Sequence, residues 1–333
     1  MAGLRDILGN DFMKEQLLLA VGSGKISHAY LVTGERGMGK RTFAEALALT
    51  LLCEHRSGAE DACLQCPACR KVLGHNHPDV VYVTHEKPDV LSVDDIRLQL
   101  NDTIGIRPYE GNWKIYIVGD ADKMTQQAQN ALLKTLEEPP EYAVILLLSS
   151  DPEKLLPTIL SRVSRIRLKP RTDGQIRSYL EDHYGDSAEG ERLDLSVAFA
   201  QGNLGRAIEL LTDETFSRWY HEVTGLCRRI HSMDAAELSG AAVKLKQLCP
   251  SLPDLLALLR LWYRDLMMYK VTKDMNGLVF CGERKALMEL AAVSSYEGIE
   301  SIMEDIDTCE KRLSANVNPE LALELLFLNM KEK

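Results

Sequence analysis

Short apolar runs alternate with stretches of three- and four-residue apolar spacing through the first half of the chain. His28 to Thr33 (HAYLVT) leads into a glycine-rich loop, and Phe43 to Leu52 (FAEALALTLL) follows with Ala and Leu at helical spacing. Three more runs, Val80 to Val83, Ile115 to Val118 and Val144 to Leu148, are bounded by polar segments, as strands buried on both faces are. Helical stretches around Val93 to Asn101 and from Gln126 to Leu136 separate them. The alternation predicts an α/β domain on a doubly wound parallel sheet.

Past Arg162 the pattern changes. Arg165, Arg167 and Lys169 alternate with Ile166 and Leu168 as in a half-exposed last strand, which Pro170 ends. No strand is expected beyond it. Residues 172–212 read as a small helical unit closing in GNLGRAIELL, where Gly202 opens a Leu/Ile pattern. The remainder is helical as well, with Leu255, Leu256, Leu259, Trp262 and Leu266 on one face. Asn318, Pro319 and Glu320 supply the cap, first-turn proline and early acid of a final helix through Leu328.

At 333 residues the chain is long enough for two or three domains, and 45% hydrophobic with 26% charged residues is an ordinary globular balance. The N-terminus lacks the basic start, apolar run and cleavage site of a secretory signal, and no apolar stretch is long enough to span a bilayer. A soluble, cytoplasmic protein with no membrane partner is expected. A net charge of −10 opposes gripping DNA with the whole surface, so any nucleic acid is expected to be held through partners.

Two motifs carry chemistry. GERGMGKRT, residues 34 to 42, has the G-x-x-x-x-G-K spacing of a phosphate-cradling loop between strand and helix. Gly34, Gly37 and Gly39 let the backbone turn its N–H groups on phosphate, and Lys40 would reach the β and γ oxygens. The motif wants Ser or Thr after the lysine to ligate Mg²⁺, but Arg41 stands there and Thr42 comes one place late. Successive helix residues point ~100° apart, so Thr42 is no direct substitute. Behind the strand ending at Val118 come Gly119, Asp120, Ala121 and Asp122, with no glutamate to orient water. The NTPase fold is expected, while ATP or ADP binding stays open and hydrolysis by the isolated chain is not expected. The second motif is Cys53, Cys63, Cys66 and Cys69, spaced C-x9-C-x2-C-x2-C. In a reducing compartment four such thiolates suit a closed, structural Zn²⁺ site. His55, His75 and His77 nearby are expected to be surface or loop residues, and Cys227, Cys249, Cys281 and Cys309, scattered through helical segments, packing residues.

In order, the phosphate loop, the four-cysteine insertion, NALLKTLEEPP (Asn130 to Pro140) and DPEKLLPTILSR (Asp151 to Arg162) resemble the clamp-loader branch of the AAA+ ATPases, as found in bacterial DNA polymerase III. The resemblance covers most of residues 1–212. It implies an AAA+ domain over 1–170 with a zinc module at 53–69, a helical lid over 171–212 and an all-α collar over 213–333. The Leu255 to Leu266 face is then expected to be buried against other subunits. It also implies partners: motor subunits of the gamma/tau type, a delta subunit, and through the assembly the sliding β clamp and primed DNA. Within that branch the departures set this chain apart from the motors. In the register set by KIYIV the motor's metal-binding Asp falls on Gly119, and the lid arginine falls on Gly205, with Arg206 one place away. The Ser-Arg motif, Ser161 and Arg162, implies an arginine finger delivered to a neighbour's ATP site. Val163 stands where the family usually has Cys. An active gamma/tau-type ATPase is the alternative. No carboxylate constellation for nucleotidyl transfer is present, so any polymerase activity would belong to the holoenzyme.

Overall fold

The computed structural model describes residues 3–333 except 86, 88, 89, 186–189, 250, 276 and 316, and only the backbone of residues 191, 214 and 281. Five strands, β1 (Ala29–Thr33), β2 (Val80–Val83), β3 (Lys114–Val118), β4 (Ala143–Ser149) and β5 (Ser164–Arg167), form one parallel sheet in the order β2-β3-β4-β1-β5. Each expected strand is present, β2 at the expected bounds and the others with ends displaced by at most two residues. β3 and β4 are buried along their whole length, which is why their sequences, Lys114 and Ser149 at the ends apart, show no polar alternation. On the edge strand β5 only Ile166 is buried.

Among the described residues seven α-helices precede the end of the sheet: α1 (Asp11–Gly22), α2 (Lys40–Leu52), α3 (Pro67–Leu73), α4 (Val93–Ile96), α5 (Asp102–Ile104), α6 (Gln126–Glu137) and α7 (Pro157–Leu160). On one face of the sheet Phe43, Leu47 and Leu51 of α2 pack on Val32, Ile115 and Leu146. On the other, Leu100, Leu132 and Leu136 pack on Leu31, Tyr116 and Leu147. The helix expected over Val93 to Asn101 is instead α4, started by a Ser92–Asp95 capping box, then a wide π turn over Arg97–Asn101 leading into α5.

The chain continues through α8 (Asp173–Tyr184), α9 (Gly190–Ala200), α10 (Leu204–Thr212), α11 (Glu214–Arg229), α12 (Ala235–Leu248), α13 (Leu252–Thr272), α14 (Arg284–Val293), α15 (Tyr296–Ser314) and α16 (Pro319–Glu332). No strand follows β5 among the described residues. Two compact units result, Met1–Gln175 with Asn203–Gly205, and Ile176–Gly202 with Arg206–Lys333. In the second, Leu195, Phe199 and Leu210 share one core with Trp219, Trp262 and Phe280. The Leu255 to Leu266 face corrects an expectation. Leu255, Leu256, Leu259, Trp262 and Leu266 are at most 1% exposed within this chain's own core and offer nothing to another subunit. Cys227, Cys249 and Cys309 are buried, whereas the side chain of Cys281 lies outside the described residues.

One buried side chain fixes the segment between β4 and β5. Gln129 of α6 accepts from the Leu156 N–H at 2.7 Å and donates to the carbonyls of Lys154 at 3.1 Å and Met124 at 3.2 Å. Replacing it by alanine removes the partner of three backbone groups at once. Gln129→Ala is expected to lower stability by about 1–3 kcal/mol, read as a lower denaturant midpoint at unchanged slope. A loss below about 0.5 kcal/mol, the range of an ordinary surface substitution, would show that the segment is held by other means.

Candidate functional site

The phosphate loop sits between β1 and α2, at the C-terminal edge of the sheet. Gly37 and Gly39 have φ of 88° and 84°, the left-handed region that a side chain resists, so the turn depends on them. Lys40 opens α2 and folds its ammonium back on the loop, donating to the carbonyls of Gly34 at 2.6 Å and Glu35 at 3.0 Å and to Ser150 Oγ at 2.8 Å. Burial holds its pKa below the ordinary lysine value, against the pull of Asp122, Asp120 and Glu35. Arg41 points along α2, where Nε meets Glu45 Oε1 at 3.0 Å and the guanidinium lies 5.2 Å from the centre of the Tyr82 ring. Thr42 is exposed on the helix.

Three consecutive carbonyls of the loop are tied outward. Asn203 Nδ2 donates to Arg36 O at 2.7 Å, the Gly205 N–H to Gly37 O at 3.0 Å, and Arg171 Nη1 to Met38 O at 2.9 Å. Arg171 also donates to Leu8 O at 3.1 Å and is 6% exposed. The loop therefore keeps its shape through hydrogen bonds of the protein itself. Nothing in the sequence marked Arg171 or Asn203, because their partners lie far away along the chain. Gly205, expected as an empty lid position, has a positive task here. A Cβ on it would stand 2.5 Å from the Gly37 carbonyl oxygen, so only glycine lets the two backbones meet. Arg206 pairs with Asp254 and lies 4.6 Å from the centre of the Phe199 ring.

The acids behind β3 are engaged with neighbours. Asp120, at φ 49°, meets Lys123 Nζ at 3.2 Å and His85 Nε2 at 3.6 Å. Burial would raise its pKa, but the hydrogen bond and charge of Lys123, with His85, hold the carboxyl below the usual range. Asp122 Oδ1 accepts from the Ser150 N–H at 2.8 Å, so Ser150 links that acid to Lys40. Ser149 accepts from the Asp151 N–H at 3.1 Å. Both serines thus work in the local hydrogen-bond framework.

Beyond the C-terminal end of α2, the sulfurs of Cys53, Cys63, Cys66 and Cys69 lie within 4.8 Å of one another. Backbone N–H groups point at them: Cys63 N is 3.3 Å from Cys53 Sγ, Cys66 N is 3.3 Å from Cys63 Sγ, and Cys69 N is 3.4 Å from Cys66 Sγ. The N–H groups of Gln65 and Cys66 bring the Cys63 thiol down to about 6. Four soft donors around one point fit a tetrahedral metal ion such as zinc, with about 2.3 Å to each sulfur, and leave no open position. Outside this set, His77 is a loop residue, as expected, but a buried one: it is 4% exposed, and Nδ1 accepts from the Asp79 N–H at 3.1 Å.

Arg162 follows α7 and is not part of the β5 edge. Nη1 donates to Thr158 O at 2.9 Å and lies 3.3 Å from Ser161 Oγ, and Nη2 stands 2.8 Å from Glu137 Oε1. The side chain is 36% exposed in an open cleft of about 540 Å³ that Ser161 and Val163 also line.

Residues 9–172 match the family model described as DNA polymerase III, delta subunit, and residues 224–332 match that of the delta subunit, C terminal. The delta' subunit of DNA polymerase III from Bacillus subtilis is 28% identical over 317 residues, 92% of each chain. The tau subunit of B. subtilis is 29% identical over 294 residues, 82% of this chain and 51% of tau. Escherichia coli tau is 35% identical over 215 residues, 64% of this chain and 33% of tau. The chain thus spans about half of the one tau subunit and a third of the other. Among solved structures, a gamma subunit-related protein from Thermotoga maritima aligns with a TM-score of 0.46 at 22% identity, covering 95% of this chain and 98% of its own.

The contact between Gly205 and Gly37 yields a direct test. Gly205→Ala is expected to lose about 1–3 kcal/mol of stability, as overpacking against backbone does. Gly119→Ala, where a Cβ meets nothing within 4 Å, is the control and should change little. Equal denaturant midpoints for the two variants would show that the loop does not depend on this approach.

Proposed function

The chain belongs to the DNA polymerase III delta-subunit family of clamp-loader proteins, and from that premise we propose that it supplies an arginine finger to the ATP site of a neighbouring gamma/tau-type motor. In this reading it works with those motors and a delta subunit to open the sliding β clamp and close it around primed DNA. Its segment 1–170 serves as the AAA+ domain, 171–212 as the lid and 213–333 as the collar. Its place in the polymerase III holoenzyme is that of a clamp-loader subunit, acting in the cytoplasm. With a net charge of −10, contact with DNA runs through the assembly.

The observation that carries the reading is the contrast between two cationic side chains. Lys40 is turned inward on its own loop, whereas the guanidinium of Arg162 is partly exposed and anchored from behind by the Thr158 carbonyl. A planar fork delivered across an interface neutralises charge on a transferring phosphoryl group, an effect of about 10³ to 10⁵ in rate in the best-studied cases. The chain's own loop lacks matching parts: Arg41 takes the place of the Mg²⁺-binding hydroxyl and is drawn off to Glu45, and Gly119 takes the place of the metal-binding acid. ATP or ADP held at Gly34, Gly37, Gly39, Lys40, Arg41 and Thr42 would serve assembly and not turnover. The tau relatives favour a second reading, an active ATPase.

One assay addresses both. In a loader reconstituted with gamma/tau and delta subunits, Arg162→Ala is expected to lower clamp- and DNA-stimulated ATP hydrolysis at least ~10-fold, a modest share of what an arginine finger provides. An unchanged rate sinks the finger assignment. Run on the lone chain, the assay discriminates the second reading, which requires a turnover near ~1 s⁻¹ abolished by Lys40→Ala.

We also assign Zn²⁺ to Cys53, Cys63, Cys66 and Cys69 as a structural ion. About one equivalent should co-purify with the chain, and chelation should lower its thermal stability, because a closed thiolate site binds tightly and its binding energy is folding energy. Less than about half an equivalent by metal analysis would contradict the assignment.

A further inference from the structure

We propose that Glu137 is a positioning residue for Arg162: it fixes one side of the guanidinium so that the arginine meets a neighbour's phosphate already oriented. The inference rests on the finger assignment above and extends it by naming the residue that aims the side chain. An arginine on a surface has a long, freely rotating stem, and ordering it at the moment of assembly opposes binding. Here two nitrogens are engaged in advance. Nη1 donates to Thr158 O at 2.9 Å and lies beside Ser161 Oγ at 3.3 Å, which holds the plane of the group from its own helix. Nη2 stands 2.8 Å from Glu137 Oε1, the last residue of α6.

The two elements that carry this pair do not drift relative to each other. Gln129, two turns earlier on α6, binds Lys154 O and Leu156 N just before α7. Glu137 therefore reaches Arg162 from a fixed distance. The pair is poorly placed to be a stability device, since the glutamate side chain is 50% exposed and the arginine 36%, where solvent screens the attraction. A carboxylate that adds little to folding but holds a guanidinium in one plane acts on geometry. The pair is also weak enough for a phosphoryl group, with its greater charge, to share the arginine.

The test is ATP turnover by the full chain reconstituted with gamma/tau and delta subunits, clamp and primed DNA. Glu137→Ala is expected to lower kcat about fivefold, the scale of an exposed charge pair, with KM for ATP unchanged because the finger acts on the transition state. Glu137→Gln keeps an acceptor oxygen at the same reach and should stay within about twofold of wild type. The double variant Glu137→Ala/Arg162→Ala should match Arg162→Ala alone, since a residue acting only through the arginine has nothing left to position. If Arg162→Ala lowers the rate while Glu137→Ala leaves it unchanged, raises it or compounds with the arginine variant, or if glutamine fails to rescue, Glu137 does not position the finger and the finger assignment stands. If Arg162→Ala itself has no effect, both fall.

Discussion

The parallel register of β1 and β4, which sets Thr33 opposite Ser149, governs where the groups around the phosphate loop stand. Parallel strands end on the same edge of the sheet, and each of these strands is followed there by a loop. Gly34 and the phosphate loop leave β1, Asp120 and Asp122 leave β3, and Ser150 leaves β4, so groups remote in sequence become hydrogen-bond partners. The burial of the central strands makes this arrangement stiff. A slip in register would leave backbone groups unpaired in the core, where each costs about 1–3 kcal/mol.

On that edge, the polar groups around the phosphate loop are tied to one another by hydrogen bonds. Lys40 has three acceptors within reach, Asp120 meets Lys123 and His85, and three successive loop carbonyls are bound to Asn203, Gly205 and Arg171. Arg162 stands at the other edge of the sheet, just before β5, partly exposed and held by Thr158 and Glu137.

Much of the architecture was legible because the central residues of β1, β3 and β4 form unbroken apolar runs and most of the helices between them keep their spacing. Strand ends were off by a residue or two, since the period does not change where pairing stops. The π turn at Arg97–Asn101 left no trace in the pattern, as apolar spacing there is the same as in a helix. The four cysteines and the Ser-Arg pair were visible as local motifs. Gln129, Arg171 and Asn203 were not, because a buried polar residue reveals its purpose only through a partner that the fold brings near. The same limit explains the Leu255 to Leu266 face: an amphipathic helix shows that it must be covered, never by what.

The helix α2 carries the phosphate loop at one end and the first thiolate, Cys53, at its C-cap. Thirteen residues make a rod of about 20 Å. Ten of them, from Phe43 to Leu52, are buried, so the rod is gripped along its length and does not bend. The four-cysteine insertion and the phosphate loop therefore share one helix as their common support.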